Sequence, residues 1–185
     1  MSYQVAKLVA RIAENLPEMS PDVMQGWIEN PKALQKFLTG LCPPIRDVLI
    51  IDCEDFPFVP GDLKVENHKE GGQLEWDPAK VRLHFSPNQQ NDKSIQGHKL
   101  RKELENEPVL NANVLDSLLD HPNLIPEEWK GKFVFFWGTI YRDSDDHLYV
   151  RYLFWFGGKW DWSYEGLGHK FDYRSPAACS QVSSK

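Results

Sequence analysis

The sequence predicts an α+β fold: N-terminal helices, then two three-stranded antiparallel meanders flanking a helix pair, the six strands forming one antiparallel sheet. Three observations carry this. Apolar residues recur at helical spacing before residue 42, alternate with polar residues in two later blocks, and are separated between those blocks by a polar loop and two short capped segments. With 41% hydrophobic and 12% aromatic residues in 185, the chain has the apolar content of a globular protein with a sizeable core. The expected divisions are an N-terminal helical segment (1–42), a Pro-rich connector (43–61), an α+β core (62–175) and a disordered tail (176–185).

Val5, Leu8, Val9 and Ile12 share one helical face, so a helix is expected over 3–15, stopped near Pro17. "SPDVMQGWIE" offers Ser20 as N-cap with Pro21 at the first helical position, and "NPKALQKFLTG" repeats the device with Asn30, Pro31 and a stop at Gly40. Their apolar sets are Met24, Trp27 and Ile28, then Leu34, Phe37, Leu38 and Leu41. The connector contains a short strand at Val48 to Ile51.

In "LKVENHKEGGQLEWDPAKVRLHF" the pairs Leu63/Val65 and Leu74/Trp76 and the set Val81, Leu83, Phe85 alternate with polar residues, with "KEGG" and "DPAK" as turns. This is the first expected meander. "SPNQQNDKS" reads as a polar loop. "IQGHKLRKELEN" and "NANVLDSLLDHPNL" read as two short helices covering one sheet face, the second capped by Asn111 or Asn113 and bounded by Pro122 and Pro126.

The second meander begins at Lys132. Gly157-Gly158 is a two-residue hairpin turn, which sets Phe156 against Lys159, Trp155 against Trp160, Leu153 against Trp162 and Arg151 against Tyr164. A five-residue "DSDDH" loop sets Arg142 against Leu148 and Trp137 across from Leu153. One face then carries Val134, Phe136, Ile140, Val150, Tyr152, Phe154 and Phe156. The other concentrates four of the seven tryptophans: Trp137, Trp155, Trp160 and Trp162, with Arg151, Leu153 and Tyr164. A half-buried Trp patch is either core roofed by helices or a surface that grips a peptide, a base or a planar ligand. Trp137, Arg151, Trp155, Trp160, Trp162 and Tyr164 are the expected binding residues.

The remaining signals exclude more than they suggest. The net charge of −6 and the absence of a long basic run argue against nucleic acid as the main partner. Cys42, Cys53 and Cys179 are odd in number and widely spaced, as in a reducing compartment. The chain start has no unbroken apolar stretch and nothing approaches a membrane span, so a cytoplasmic protein without a membrane partner is expected. The six histidines show no metal-ligand spacing, and "DSDDH" lacks the glycine and glutamate of a calcium loop, so neither a metal nor a cofactor is expected. "QGHKLRKE" is the densest basic patch, read as an exposed helix laced by Glu103, Glu105 and Glu107.

The run "VLNANVLDSLLDHPNLIPEEWKGKFVFFWGTIYRDSDDHLYVRYLFW" resembles a recurring set of small uncharacterised bacterial proteins. These share a "VLNANVLD…HPxLIPEEWKGK…FFWGTIYRDSD…LYVR" pattern and often the upstream "WIENPKAL", which spans Trp27 to Leu34 here. The resemblance covers roughly residues 20–41 and 98–173 and implies a bacterial or phage-like origin, with no activity or catalytic residue to carry over. Asp146 stands where that pattern tends to have glycine. The functional expectation is a non-catalytic module that binds an unknown protein or small ligand through the Trp/Arg face. The alternative is a small hydrolase or nucleic-acid-processing enzyme whose site is assembled from distant residues, for which His147 with Asp143 and His169 with Asp172 are candidate pairs.

Overall fold

The structure, a computed structural model, describes residues 20–32, 35–36 and 48–181. It divides between Asp47 and Val48, inside the expected connector. In the first unit α1 (Pro21–Glu29) starts as expected, with the Ser20 hydroxyl accepting from the Val23 N–H and proline in the first turn. The expected helix over 3–15, the packing of Met24 and Trp27, and the set Leu34, Phe37, Leu38 and Leu41 fall outside the described residues.

The second unit is built on β1 (Ile50–Asp52), β2 (Lys64–His68), β3 (Gln73–Glu75), β4 (Val81–His84), β5 (Ile95–Gln96), β6 (Val134–Arg142), β7 (Leu148–Phe156), β8 (Lys159–Gly166), β9 (Lys170–Phe171) and β10 (Ala177–Ser180). Two helices, α2 (Gly97–Glu103) and α3 (Ala112–Asp120), lie between β5 and β6 in sequence. The α+β class is therefore present, but the single antiparallel sheet is not. The main sheet runs β4-β10-β6-β7-β8, β2 also pairs with β6, and β10 runs parallel to β6.

The expected first meander does not form. Its three strands each find a distant partner: β2 with β6, β3 with β1, and β4 with β10. Alternation marks a strand but does not name its neighbour. The expected tail, 176–185, contains β10, whose residues Ala177, Ala178 and Cys179 are buried between β4 and β6. The Leu110 N–H donates to the Ala178 carbonyl and the Ser180 N–H to that of Pro108, so β10 is held on both edges.

The second meander keeps its order, and the β7–β8 register is the expected one throughout. Gly157 and Gly158, at φ +60° and +84°, supply the left-handed turn that only glycine adopts without cost. Arg142 also faces Leu148 as expected. Further along, however, β6 places four residues, Phe136 to Thr139, against Arg151 alone. This bulge inverts the first half of the strand. Val134, not Trp137, lies opposite Leu153, and Phe135 lies opposite Tyr152.

The two helices cover opposite faces and not one. Val114, Leu115 and Leu118 of α3 pack with Val134, Phe136, Leu153, Trp129 and Trp160. Leu100 of α2 and Leu104 at its C-cap pack with Phe135, Trp137, Ile140, Val150 and Phe171. No helix among the described residues is long and apolar enough to cross a membrane.

Removing residues 177–185 strips a buried strand from the sheet and leaves the inner edges of β4 and β6 without their partner. Such a chain is expected to lose the cooperative thermal transition and near-ultraviolet dichroism of the full protein. Unchanged spectra would mean β10 is dispensable.

Candidate functional site

Arg151 organises the Trp-rich face. It is only 1% exposed, and its Nη1 and Nη2 donate to the two carboxylate oxygens of Asp116 on α3 at 2.9 and 2.6 Å. The guanidinium also stacks on Trp162 at 4.3 Å and on Phe58 at 5.0 Å. Tyr141, opposite Tyr149 on the neighbouring strand, donates its hydroxyl to the Phe58 carbonyl, and burial pushes its pKa up. The fork of Arg151 is thus already occupied within the fold.

The rings around it are arranged edge to face. Trp155 meets Trp160 at 5.3 Å and carries the Lys130 ammonium 3.9 Å above its ring. Trp160 is buried at 8% exposure, Trp155 and Trp162 are half-buried, and Tyr164 is open at 43%. Of the six expected residues the structure brings five together: Arg151, Trp155, Trp160, Trp162 and Tyr164. The sixth, Trp137, is on the opposite face because of the β6 bulge. It packs against Phe135 and Phe171, with ring centroids 6.3 and 5.3 Å away.

On that opposite face Trp137 lines a cleft of about 840 Å³ between β2 and α2. Trp137, Leu104 and Ile140 are its buried apolar residues, and Lys69, His98, Arg101 and Lys102 also line it. The Trp137 indole N–H is buried and has no acceptor. The acidic neighbours that "QGHKLRKE" was expected to use are drawn elsewhere. Glu107 pairs with Arg82, and Glu103 accepts from Asn88. Glu66, whose carboxyl is held down first by its bonds with Arg142 and also by the field of Arg101, is engaged by Arg142. Among the described residues Arg101 and Lys102 form no salt bridge, and Glu105 is the acid left in the cleft wall.

A buried polar network closes one end of the cleft. The Nε2–H of His68 faces the Cys53 carbonyl at 3.1 Å, which can only accept, so in the neutral ring Nδ1 accepts from the Thr139 hydroxyl at 2.8 Å. Thr139 also caps α3 by accepting from the Ala112 N–H. Of the two expected caps, Asn111 is at the N-cap position but makes no capping bond, and Asn113 donates to the Asp52 and Asp55 carbonyls. The Asn111 amide donates instead to the carbonyls of Cys53 and Lys69. A Cβ on Gly138 would come within 2.8 Å of the Asn111 backbone, which is why glycine occupies the bulge. That glycine inside a strand pattern was the available sign of the bulge.

The other candidates are bound into local pairs. His147 and Asp143 do meet, at 3.2 Å, on an exposed hairpin tip where Asp143 also accepts two backbone N–H groups of its loop. His169 pairs with Glu165, not with Asp172, which is engaged by Arg174. Among the described residues no group of three His, Cys, Asp or Glu side chains is placed to hold a metal ion. Burial pushes the thiols up, Cys53 to about 11 and Cys179 to about 12, so neither supplies a thiolate at neutral pH. No family model matches this chain, nor does any curated protein or solved structure.

Two outcomes follow from these environments. Asp116→Ala strands a buried guanidinium and is expected to cost roughly 3–5 kcal/mol in urea unfolding, whereas Arg151→Met with Asp116→Leu is expected to recover most of it. Equal losses for the single and double variants would refute a charge-stranding cost. Cys53 and Cys179 stay protonated far above pH 8, so iodoacetamide at that pH should label them only as fast as the protein unfolds, read residue by residue by mass spectrometry. Rapid labelling in the native state would contradict their burial.

Proposed function

We propose that this chain is a non-catalytic binding protein that takes an anionic ligand with an apolar body in the cleft between β2 and α2. The observation that carries the reading is a cleft lined by Arg101 and Lys102 and backed by buried Trp137, whose indole N–H has no acceptor. A buried donor without an acceptor costs about 1–3 kcal/mol, so a ligand or water oxygen that reaches it is favoured by that amount. The chemistry of the wall matches such a ligand. Leu104 and Ile140 supply apolar surface, and Arg101 and Lys102 supply positive charge, with Glu107 and Glu103 engaged elsewhere and Glu105 the acid that remains beside them. The cleft volume lies in the range of small-molecule sites.

A non-catalytic role is favoured by the way one of the two histidines of the cleft is used. Both ring nitrogens of His68 are spent on Cys53 and Thr139, so the imidazole holds β2 against β6 and does not face a substrate. Of the residues expected to bind, Trp137 is the one this reading keeps in the ligand site.

The test compares 2-naphthyl phosphate with 2-naphthol by isothermal titration calorimetry. The phosphate ester is expected to bind at least about tenfold tighter, with affinity falling as salt rises. Arg101→Ala/Lys102→Ala is expected to erase that advantage while leaving naphthol binding and the melting temperature in place. Trp137→Phe removes the N–H together with the pyrrole ring of a buried side chain, so it should weaken phosphate binding more than naphthol binding and also lower the melting temperature through the cavity it leaves. Equal affinity for the two probes, or unaltered phosphate binding by the double variant, would overturn the proposal.

A further inference from the structure

We infer that the outer edge of β8 docks a second copy of this chain, as an antiparallel strand pair centred on Trp162. Among the described residues β8 is the last strand of the main sheet, eight residues long, and pairs on one side only, with β7. The hairpin closes at Phe156 and Lys159, so the N–H and C=O groups of Trp160, Trp162 and Tyr164 point away from β7. A row of outward backbone groups of this length is a template for another strand.

The side chains name the partner. With Trp162 opposite its own symmetry mate, Lys159 of one copy faces Glu165 of the other, twice per pair. Trp160 faces Tyr164 in the same way, and Asp161 faces Ser163. Moving the two-fold axis by one residue sets Asp161 against Asp161 in one direction and Asp161 against Glu165 in the other. Like charges directly opposed are destabilising and opposite charges stabilising, so the strand is complementary to itself in this register and repels itself in the two adjacent ones. The exposed ends support the fit: the Lys159 side chain is 71% open and Tyr164 is 43% exposed. The Lys159 ammonium pairs with Asp161 of its own strand at 3.0 Å and must exchange that partner for Glu165 of the second copy.

Two carboxylates guard the free edge. Asp161 Oδ1 accepts the outward Trp162 N–H at 2.9 Å, and Glu165 Oε1 accepts that of Gly166 at 3.1 Å. Both must turn aside for the second strand, Glu165 toward the partner Lys159. A single strand pair also buries less than the roughly 1,200 Å² of a standard interface. Association is therefore reversible, and its dissociation constant falls in the micromolar range or weaker.

Sedimentation velocity of the full chain over a concentration series reads the outcome. The wild type is expected to show a monomer–dimer equilibrium. Lys159→Glu and Glu165→Lys, each placing two like-charge pairs across the axis, should each weaken it by roughly tenfold or more. The charge-swapped double variant, Lys159→Glu/Glu165→Lys, should restore it. A wild type that remains monomeric at the highest soluble concentration, or a dimer equally stable in all four proteins, would overturn the inference. Circular dichroism of each variant separates loss of pairing from loss of fold.

Discussion

Strand β6 is the constraint on which the rest depends. From Val134 to Tyr141 it is buried without a break, so both of its faces and both of its edges must be covered at once. The cover comes from five directions: β7 along one edge, β10 and then β2 along the other, α3 on one face and α2 on the opposite one. A regular nine-residue strand would put Phe135 and Trp137 under α3, beside the other tryptophans. The bulge at Phe136–Thr139 exchanges them for Val134 and Phe136. Its position is dictated by the close approach of Gly138 to the start of α3, where a single methyl group would collide with Asn111. One missing Cβ thus decides which tryptophan lies on which side of the sheet.

The consequence for the Trp-rich face is electrostatic as much as steric. Arg151 is too deeply buried to remain without a counter-charge, since the desolvation of a lone guanidinium amounts to several kcal/mol. Asp116 supplies the charge in a two-point geometry, and Trp162 and Phe58 stack on the flat faces. An arginine held in this way positions α3 over β7. Both Nη groups that could grip an acidic ligand are engaged by Asp116, and the Nε–H that has no acceptor is buried within the cluster. The openness of this face increases along β8, from buried Trp160 through half-buried Trp162 to exposed Tyr164, and the self-pairing proposal places its contacts on this strand.

What the sequence made legible is local chemistry. The Gly157-Gly158 turn specified every pair of the β7–β8 ladder, because a two-residue loop leaves one register. The Ser20-Pro21 start of α1 could be read because capping acts within one helical turn. What stayed illegible depends on residues far apart in the chain. The alternation of 63–85 said that strands exist but not that β1, β6 and β10 would claim them. The segment Ala177-Ala178-Cys179 looked like a tail because its side chains are small, yet small side chains suit a strand packed on both faces and both edges. The cleft was invisible for the same reason. "QGHKLRKE" carries acids nearby in sequence, and only the fold shows Glu103 and Glu107 turned toward Asn88 and Arg82.

The cleft and the β8 edge lie on the same sheet but on opposite sides of β6. β8 is separated from β6 by β7, a lateral distance of about 10 Å at normal strand spacing. Among the described residues the links between them include the start of α2, where the Gly97 N–H donates to His169 O and the His98 N–H to Leu167 O, just beyond β8, and the ring contact of Phe171 with Trp137. A Cβ on Gly97 would meet the Leu167 backbone at 2.7 Å, so this junction is rigid. Strand pairing through β8 asks the Asp161 side chain to leave the Trp162 N–H and that of Glu165 to leave the Gly166 N–H and His169. The backbone carbonyls that hold α2 are untouched. Arg101 and Lys102 lie further along α2 than these two bonds, so a second copy docked at β8 would leave the backbone anchors of their helix in place.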